Sequence, residues 1–131
     1  MKEIIILTIC TFTLIFMAGC SDNTVSQKID PVQDTTVKVT FLEFGANNCI
    51  PCLNMRPVMD SVQKKYGWQI SVQFIDVYKN PQMTNDYKIV SMPTQVFLDS
   101  NDTEFFRHRG FFPEDSIHIL LKSAGLEILN K

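Results

Sequence analysis

The chain predicts an α/β domain with a central mixed sheet and helices on both faces. Three observations lead there. Strand-like and helical segments follow one another in the order β-α-β-α-β-β-α, a pattern that layers helices against a sheet. The first strand, residues 37–44, is nearly continuous in apolar side chains, as a strand covered on both faces is. Residues 37–131 are enough for one compact core and too few for two domains.

Each element has its own signal. Gly45-Ala46-Asn47-Asn48 reads as a turn, with Asn48 the expected cap of the helix that follows. That helix is expected over residues 50–66, kinked at Pro57 and ended by Gly67. Leu53, Val58, Val62 and Tyr66 are the candidates for its buried face. A second strand is read over residues 69–77, where Ile70, Val72 and Phe74 alternate. Residues 81–87 predict a short helix and residues 94–98 a third strand. Asp99-Ser100-Asn101-Asp102 makes a turn into a fourth strand at residues 104–110. Residues 113–124 close the domain as an amphipathic helix through Ile117, Leu120 and Leu121.

Chemistry concentrates at Cys49-Ile50-Pro51-Cys52, between the first strand and the first helix. A thiol at a helix start sits among unpaired N–H groups and the positive end of the helix dipole, which favours the thiolate. The second thiol, one turn on, is close enough to form a short disulfide and release a bound partner. Pro51 suits a first-turn position because it lacks an N–H and has a helical φ. Cys49 is thus the expected attacking thiolate and Cys52 the resolving thiol. The competing readings are half of a zinc site or an inert structural disulfide. Zinc would need two further ligands, and the other cysteines, Cys10 and Cys20, lie in or beside the N-terminal apolar segment. The two histidines, His108 and His118, read as solvent-facing. Phe105, Phe106, Phe111 and Phe112 make an aromatic cluster, core with a partly exposed rim or else a docking surface.

The N-terminus points out of the cytoplasm. Lys2 precedes an apolar run over residues 4–18, short for a membrane span and suited to a secretory signal. It ends in Met17-Ala18-Gly19-Cys20, which is similar to the bacterial lipobox, so residues 1–19 are expected to be a lipoprotein signal and Cys20 the lipidated residue. An uncleaved anchor and an ordinary signal peptide are the alternatives. Residues 20–36 are polar and read as a flexible tether. A net charge of −2 without a basic stripe argues against nucleic acid as a partner.

Taken together, the motifs resemble the thioredoxin family. They run in family order: Phe41-Leu42-Glu43-Phe44, Cys49-Ile50-Pro51-Cys52, Met55-Arg56-Pro57, Phe74-Ile75-Asp76-Val77, Met92-Pro93-Thr94, then the hairpin and the last helix. The resemblance implies a thioredoxin-like fold, disulfide-exchange activity and a cis bond before Pro93. Asn48 stands where the family usually has Trp, and Gly45 where an aromatic is common. The surface around the pair is expected to be smaller and more polar for that reason. Glu43 replaces the usual buried Asp, as in extracytoplasmic, cytochrome-maturation-type relatives, and Val72 is read at the position of the lysine that often partners it.

Roles follow from both sources. Glu43 lies in an apolar strand, so its pKa should rise, and it is the candidate acceptor of the Cys52 proton. A surface glutamate at a strand edge is the alternative. Met92, Pro93, Ile50 and Pro51 are the candidate substrate-binding residues, the Met92 backbone pairing with an extended segment. A trans turn for Pro93 and plain core packing for Met92 compete with that. The expected protein is a membrane-anchored extracytoplasmic thiol–disulfide oxidoreductase that reduces disulfides of secreted or periplasmic proteins. It carries no flavin or nicotinamide signature, so no cofactor beyond the Cys49–Cys52 pair is expected, no metal site is assigned, and a transmembrane thiol-electron donor is the implied source of reductant. Ile50-Pro51 keeps the proline of reducing thioredoxins and lacks the histidine common in oxidants and isomerases. Copper binding and delivery on the same fold is the rival.

Overall fold

A computed structural model describes residues 36–129. The leader, Cys10, Cys20 and nearly all of the tether lie outside the described residues. Four strands, β1 (Val39–Gly45), β2 (Ile70–Asp76), β3 (Thr94–Asp99) and β4 (Glu104–Arg109), form one sheet in the order β2-β1-β3-β4. β1 runs parallel to β2 and antiparallel to β3, and β3 antiparallel to β4, so the sheet is mixed. The central places of β1 and β3 explain their apolar runs, because both faces of each are covered.

Period-two alternation in β1 divides the core. Val39 and Phe41 join Met55, Met59, Val62, Tyr66, Ile117 and Leu121, from α1 (Ile50–Tyr66) and α3 (Glu114–Ser123). Leu42 and Phe44 turn the other way, with Val96 and Leu98, toward Met83 of α2 (Pro81–Asp86) and toward Tyr87 and Ile89. The aromatic centre is Phe97, stacked on Phe41 at 4.5 Å and edge-on to Phe106 and Phe112. Of the four clustered phenylalanines, Phe112 is buried and Phe106 half-buried, while Phe105 and Phe111 are exposed.

Several expectations are corrected. The cap of α1 is Cys49, not Asn48: Cys49 is extended, and its Sγ accepts from the Cys52 N–H at 3.3 Å. The buried face of α1 is Cys52, Met55, Met59, Val62 and Tyr66, and Leu53 is exposed. Val62 and Tyr66 are buried as expected and Val58 packs partly against the core, whereas in the first turn Cys52, not Leu53, faces inward. The span of the helix is as expected: it holds Pro57 within it and ends after Tyr66 at Gly67, whose φ is positive. Residues 67–69 form a single 3₁₀ turn before β2, with the buried Gln69 amide donating to the carbonyls of Tyr66 and Glu127. His118 is half-buried, not solvent-facing, held by the Tyr66 hydroxyl at 3.1 Å and by Glu114 at 3.1 Å. His108 is partly covered too, stacked on Phe112 at 4.4 Å.

Candidate active site

The site lies where β1 ends and α1 begins. Gly45 closes the strand, Ala46 O accepts from the Cys49 N–H, and Ile50 starts the helix with Pro51 in its first turn. Cys49 and Cys52 are joined as a disulfide with Cα atoms 5.2 Å apart. The two sulfurs differ in access. Cys49 is partly exposed and flanked by the exposed Ile50 and Pro51, whereas Cys52 is fully buried.

Gly45 is required where it stands. A Cβ there would lie 3.0 Å from Cys52 Cβ, 3.0 Å from the Phe74 ring and 3.1 Å from Cys52 Sγ. The family's frequent aromatic has no room at this point, because Phe74 from β2 fills the space. The residue facing Glu43 across β2 is this same Phe74, and Val72 faces Phe41. The position beside the acid is thus an aromatic on β2, which corrects the assignment to Val72. The Arg56 guanidinium lies over the Phe74 ring at 4.9 Å and donates to Asn47, whose amide donates to Asp76 at 3.2 Å. This Arg56–Asn47–Asp76 chain ties the loop before Cys49 to the end of β2. Sequence reasoning missed Asn47 and Arg56 as partners, since their contact depends on the helix direction.

Glu43 is two residues before Gly45 on the same face of β1 and fully buried. Burial pushes its carboxyl up to about 8. The amide of Gln95, directly opposite on β3, works the other way and less strongly. The two groups face each other without reaching hydrogen-bond geometry: both carboxyl oxygens and both amide atoms lack a partner among the described residues. Gln95, one polar residue within the apolar run Thr94-Gln95-Val96-Phe97-Leu98, also escaped the sequence reading.

The loop before β3 completes the site. The Met92–Pro93 bond is cis. Thr94 pairs with Phe44, so the register carries Pro93 level with Gly45 at the same end of the sheet. Thr94 Oγ1 donates to Ser91 O at 2.8 Å, and the Gly110 N–H to Pro93 O at 2.8 Å. Pro93 is buried and Met92 half-exposed, beside the exposed Val90. Among the described residues no three His, Cys, Asp or Glu side chains are grouped so as to hold a metal ion.

A partly exposed and a buried cysteine joined across a helix start, with a buried carboxyl on the strand before them and a cis-proline level with Gly45, define a thioredoxin-type site. Comparison with known proteins agrees. The Thioredoxin family model matches residues 22–123, and the chain belongs to the thioredoxin family. It is 44% identical over 64 residues to Thioredoxin-1 of Drosophila yakuba, a match covering 49% of this chain and 60% of that protein, less than two thirds of its length. It is 38% identical over 79 residues to Thioredoxin-1 of Drosophila melanogaster, covering 60% and 71%. Among solved structures, thioredoxin-2 of the malaria parasite superposes with a TM-score of 0.63 at 30% identity, covering 66% of this chain and 82% of that one.

Proposed function

We propose that the protein is a membrane-tethered, extracytoplasmic reductant of protein disulfides. The observation that carries the chemistry is the unequal access of the two sulfurs, Cys49 reachable and Cys52 buried on the face that holds Glu43. In the reduced form the Cys49 thiolate attacks a substrate disulfide, forming a mixed disulfide and expelling one substrate thiolate. Cys52 then gives its proton to the Glu43 carboxylate and attacks Cys49 Sγ. The bond from Cys49 to substrate breaks, the Cys49–Cys52 disulfide forms, and the second substrate thiolate leaves to take up a proton. Two electrons pass from the pair to the substrate. An external thiol donor, a transmembrane carrier in this reading, reverses the exchange on Cys49 and Cys52.

Met92 and Pro93, with Ile50 and Pro51, would receive an extended substrate segment, the Met92 backbone supplying the pairing groups. The half-exposed Met92 next to the exposed Val90, and the exposure of Ile50 at the helix start, support that role. The anchor and location rest on Met17-Ala18-Gly19-Cys20 and the polar stretch behind it. For copper delivery the pair would need a third ligand. His108, packed on Phe112, and His118, held between Tyr66 and Glu114, are both engaged elsewhere, which favours the redox reading.

The test is turnover. The purified protein should catalyse insulin reduction by dithiothreitol. Cys49→Ser should abolish it, and Cys52→Ser should accumulate covalent adducts with substrate. Adducts on Cys49→Ser in place of Cys52→Ser would reverse the assignment. A stoichiometric metal content after aerobic purification, with no turnover, would favour the copper reading.

A further inference from the structure

Glu43 and Gln95 occupy the centre of the sheet, directly paired across β1 and β3, with neither exposed to solvent. Their four polar atoms are unpartnered together among the described residues. Gln95 has a second cross-strand neighbour, His108 on β4, but that ring is stacked on Phe112 with Nε2 3.3 Å from Phe111 O and gives the amide no hydrogen bond. Two buried polar side chains paired across strands and left without partners are poorly explained as packing, since an apolar residue would fill either place at lower cost. The rest of Glu43's surroundings offers no help. Phe41 and Gly45 share its face of β1 and Phe74 faces it from β2, and only burial and the Gln95 amide act on its titration. His108, opposite Gln95 on β4, and in the reduced state the Cys52 thiol of α1 are the further titratable groups on that side.

We propose that Gln95 is a positioning residue for the proton transfer, donating from Nε2 to the Glu43 carboxylate once that group has lost its proton. The donor inventory requires something of this kind. A carboxylate only accepts, and a primary amide is the uncharged side chain that brings two N–H donors without adding charge. Gln95 stands directly opposite Glu43 and its amide already acts on the carboxyl, and a hydrogen bond between them becomes stronger as the carboxyl ionises. Gln95 thereby makes the base form attainable in an otherwise dry site. Without the amide, a smaller fraction of Glu43 would be ionised and ready to receive the Cys52 proton at a given pH. This rests on the proposed role of Glu43, and it concerns a group that touches neither substrate nor sulfur.

The experiment uses the full-length protein in two variants, Gln95→Leu and the nearly isosteric Gln95→Met, alongside Glu43→Gln. Carbon-13 NMR of the glutamate carboxyls in the oxidised protein follows Glu43 directly. Single-turnover kinetics across pH follow first attack and resolution separately. In both Gln95 variants the Glu43 midpoint should move up by about one pH unit, the tenfold change in proton affinity expected from losing a hydrogen bond to the charged form. The midpoint of the resolving step should move with it, while first attack by Cys49 stays unchanged. An unmoved Glu43 midpoint in either folded variant would overturn the proposal. The two ideas fail separately. If Glu43→Gln leaves the resolving rate unchanged at every pH, the role of Glu43 falls, while the NMR midpoint still decides whether Gln95 holds its carboxylate.

Discussion

Glu43 shows how burial of one carboxyl couples stability to pH. Its carboxyl titrates near 4.5 in an unfolded chain and near 8 in the folded one. Between those values the folded state holds a proton that the unfolded state has lost. Stability is therefore greatest at the acid end of the window and declines as pH rises from about 4.5 to about 8, by at most about 5 kcal/mol. Glu43→Gln keeps the shape and removes the titration, so its stability should stay flat over that range and exceed the parent's above it. Chemical denaturation of the oxidised forms from pH 5 to 9 checks this, and parallel profiles would mean that the carboxyl is not desolvated as described. Burial of Glu43 was legible from Val39, Phe41, Leu42 and Phe44 around it. The neighbour that tempers it was not, since Gln95 lies more than fifty positions away and meets it only through strand register.

At the scale of elements, α1 and α3 are joined by a polar clamp at the edge of the core. Glu114 Oε1 accepts from Ser61 at 2.6 Å and from Lys65 at 2.7 Å, and meets His118 at 3.1 Å. These donors, with Lys65 first, hold its carboxyl down at about 2. A depressed carboxyl stabilises the fold above its unfolded value and loses that contribution as pH falls from about 4.5 to about 2. Glu114→Gln should cost about 1 kcal/mol at neutral pH, a small figure because the clamp is partly solvated. The gap between parent and variant should shrink in acid, and thermal denaturation at pH 7 and pH 3 measures it. A gap equal at both values would show that the clamp acts by packing alone. The amphipathic pattern of α3 was legible, and Ile117 and Leu121 are buried as it requires. The clamp was not, because Ser61 and Glu114 become neighbours only after α1 and α3 dock on the same face of the sheet.

At the scale of the whole molecule, the proposed lipid anchor holds this domain outside the cytoplasm. The described residues are a thioredoxin domain, and the chain ahead of them carries the proposed signal, Cys20 and tether. If the lipobox reading holds, mass spectrometry of the membrane-extracted protein should find a diacyl or triacyl modification on Cys20 as the mature N-terminus. Cys20→Ser should shift the protein out of the membrane fraction. Soluble protein with an N-terminus elsewhere would remove the anchor from the proposal and leave the redox site untouched. The two parts are separable because the site is built entirely within residues 43–95.

What the sequence determined by itself is local and periodic: the apolar strand that leads into the turn before the cysteine pair, the helix that begins at that pair, the glycine that stops it, and the buried positions Ile117 and Leu121 of the last helix. Those features depend on neighbours along the chain, so spacing reveals them. The tertiary structure alone decided the rest. It chose Cys49 over Asn48 as cap, Phe74 over Val72 as the residue across from the acid, and it brought Gln95 to Glu43, Arg56 to Asn47 and His118 to Tyr66. Each of these pairings is set by strand register or helix docking, where a shift of one residue exchanges one partner for another.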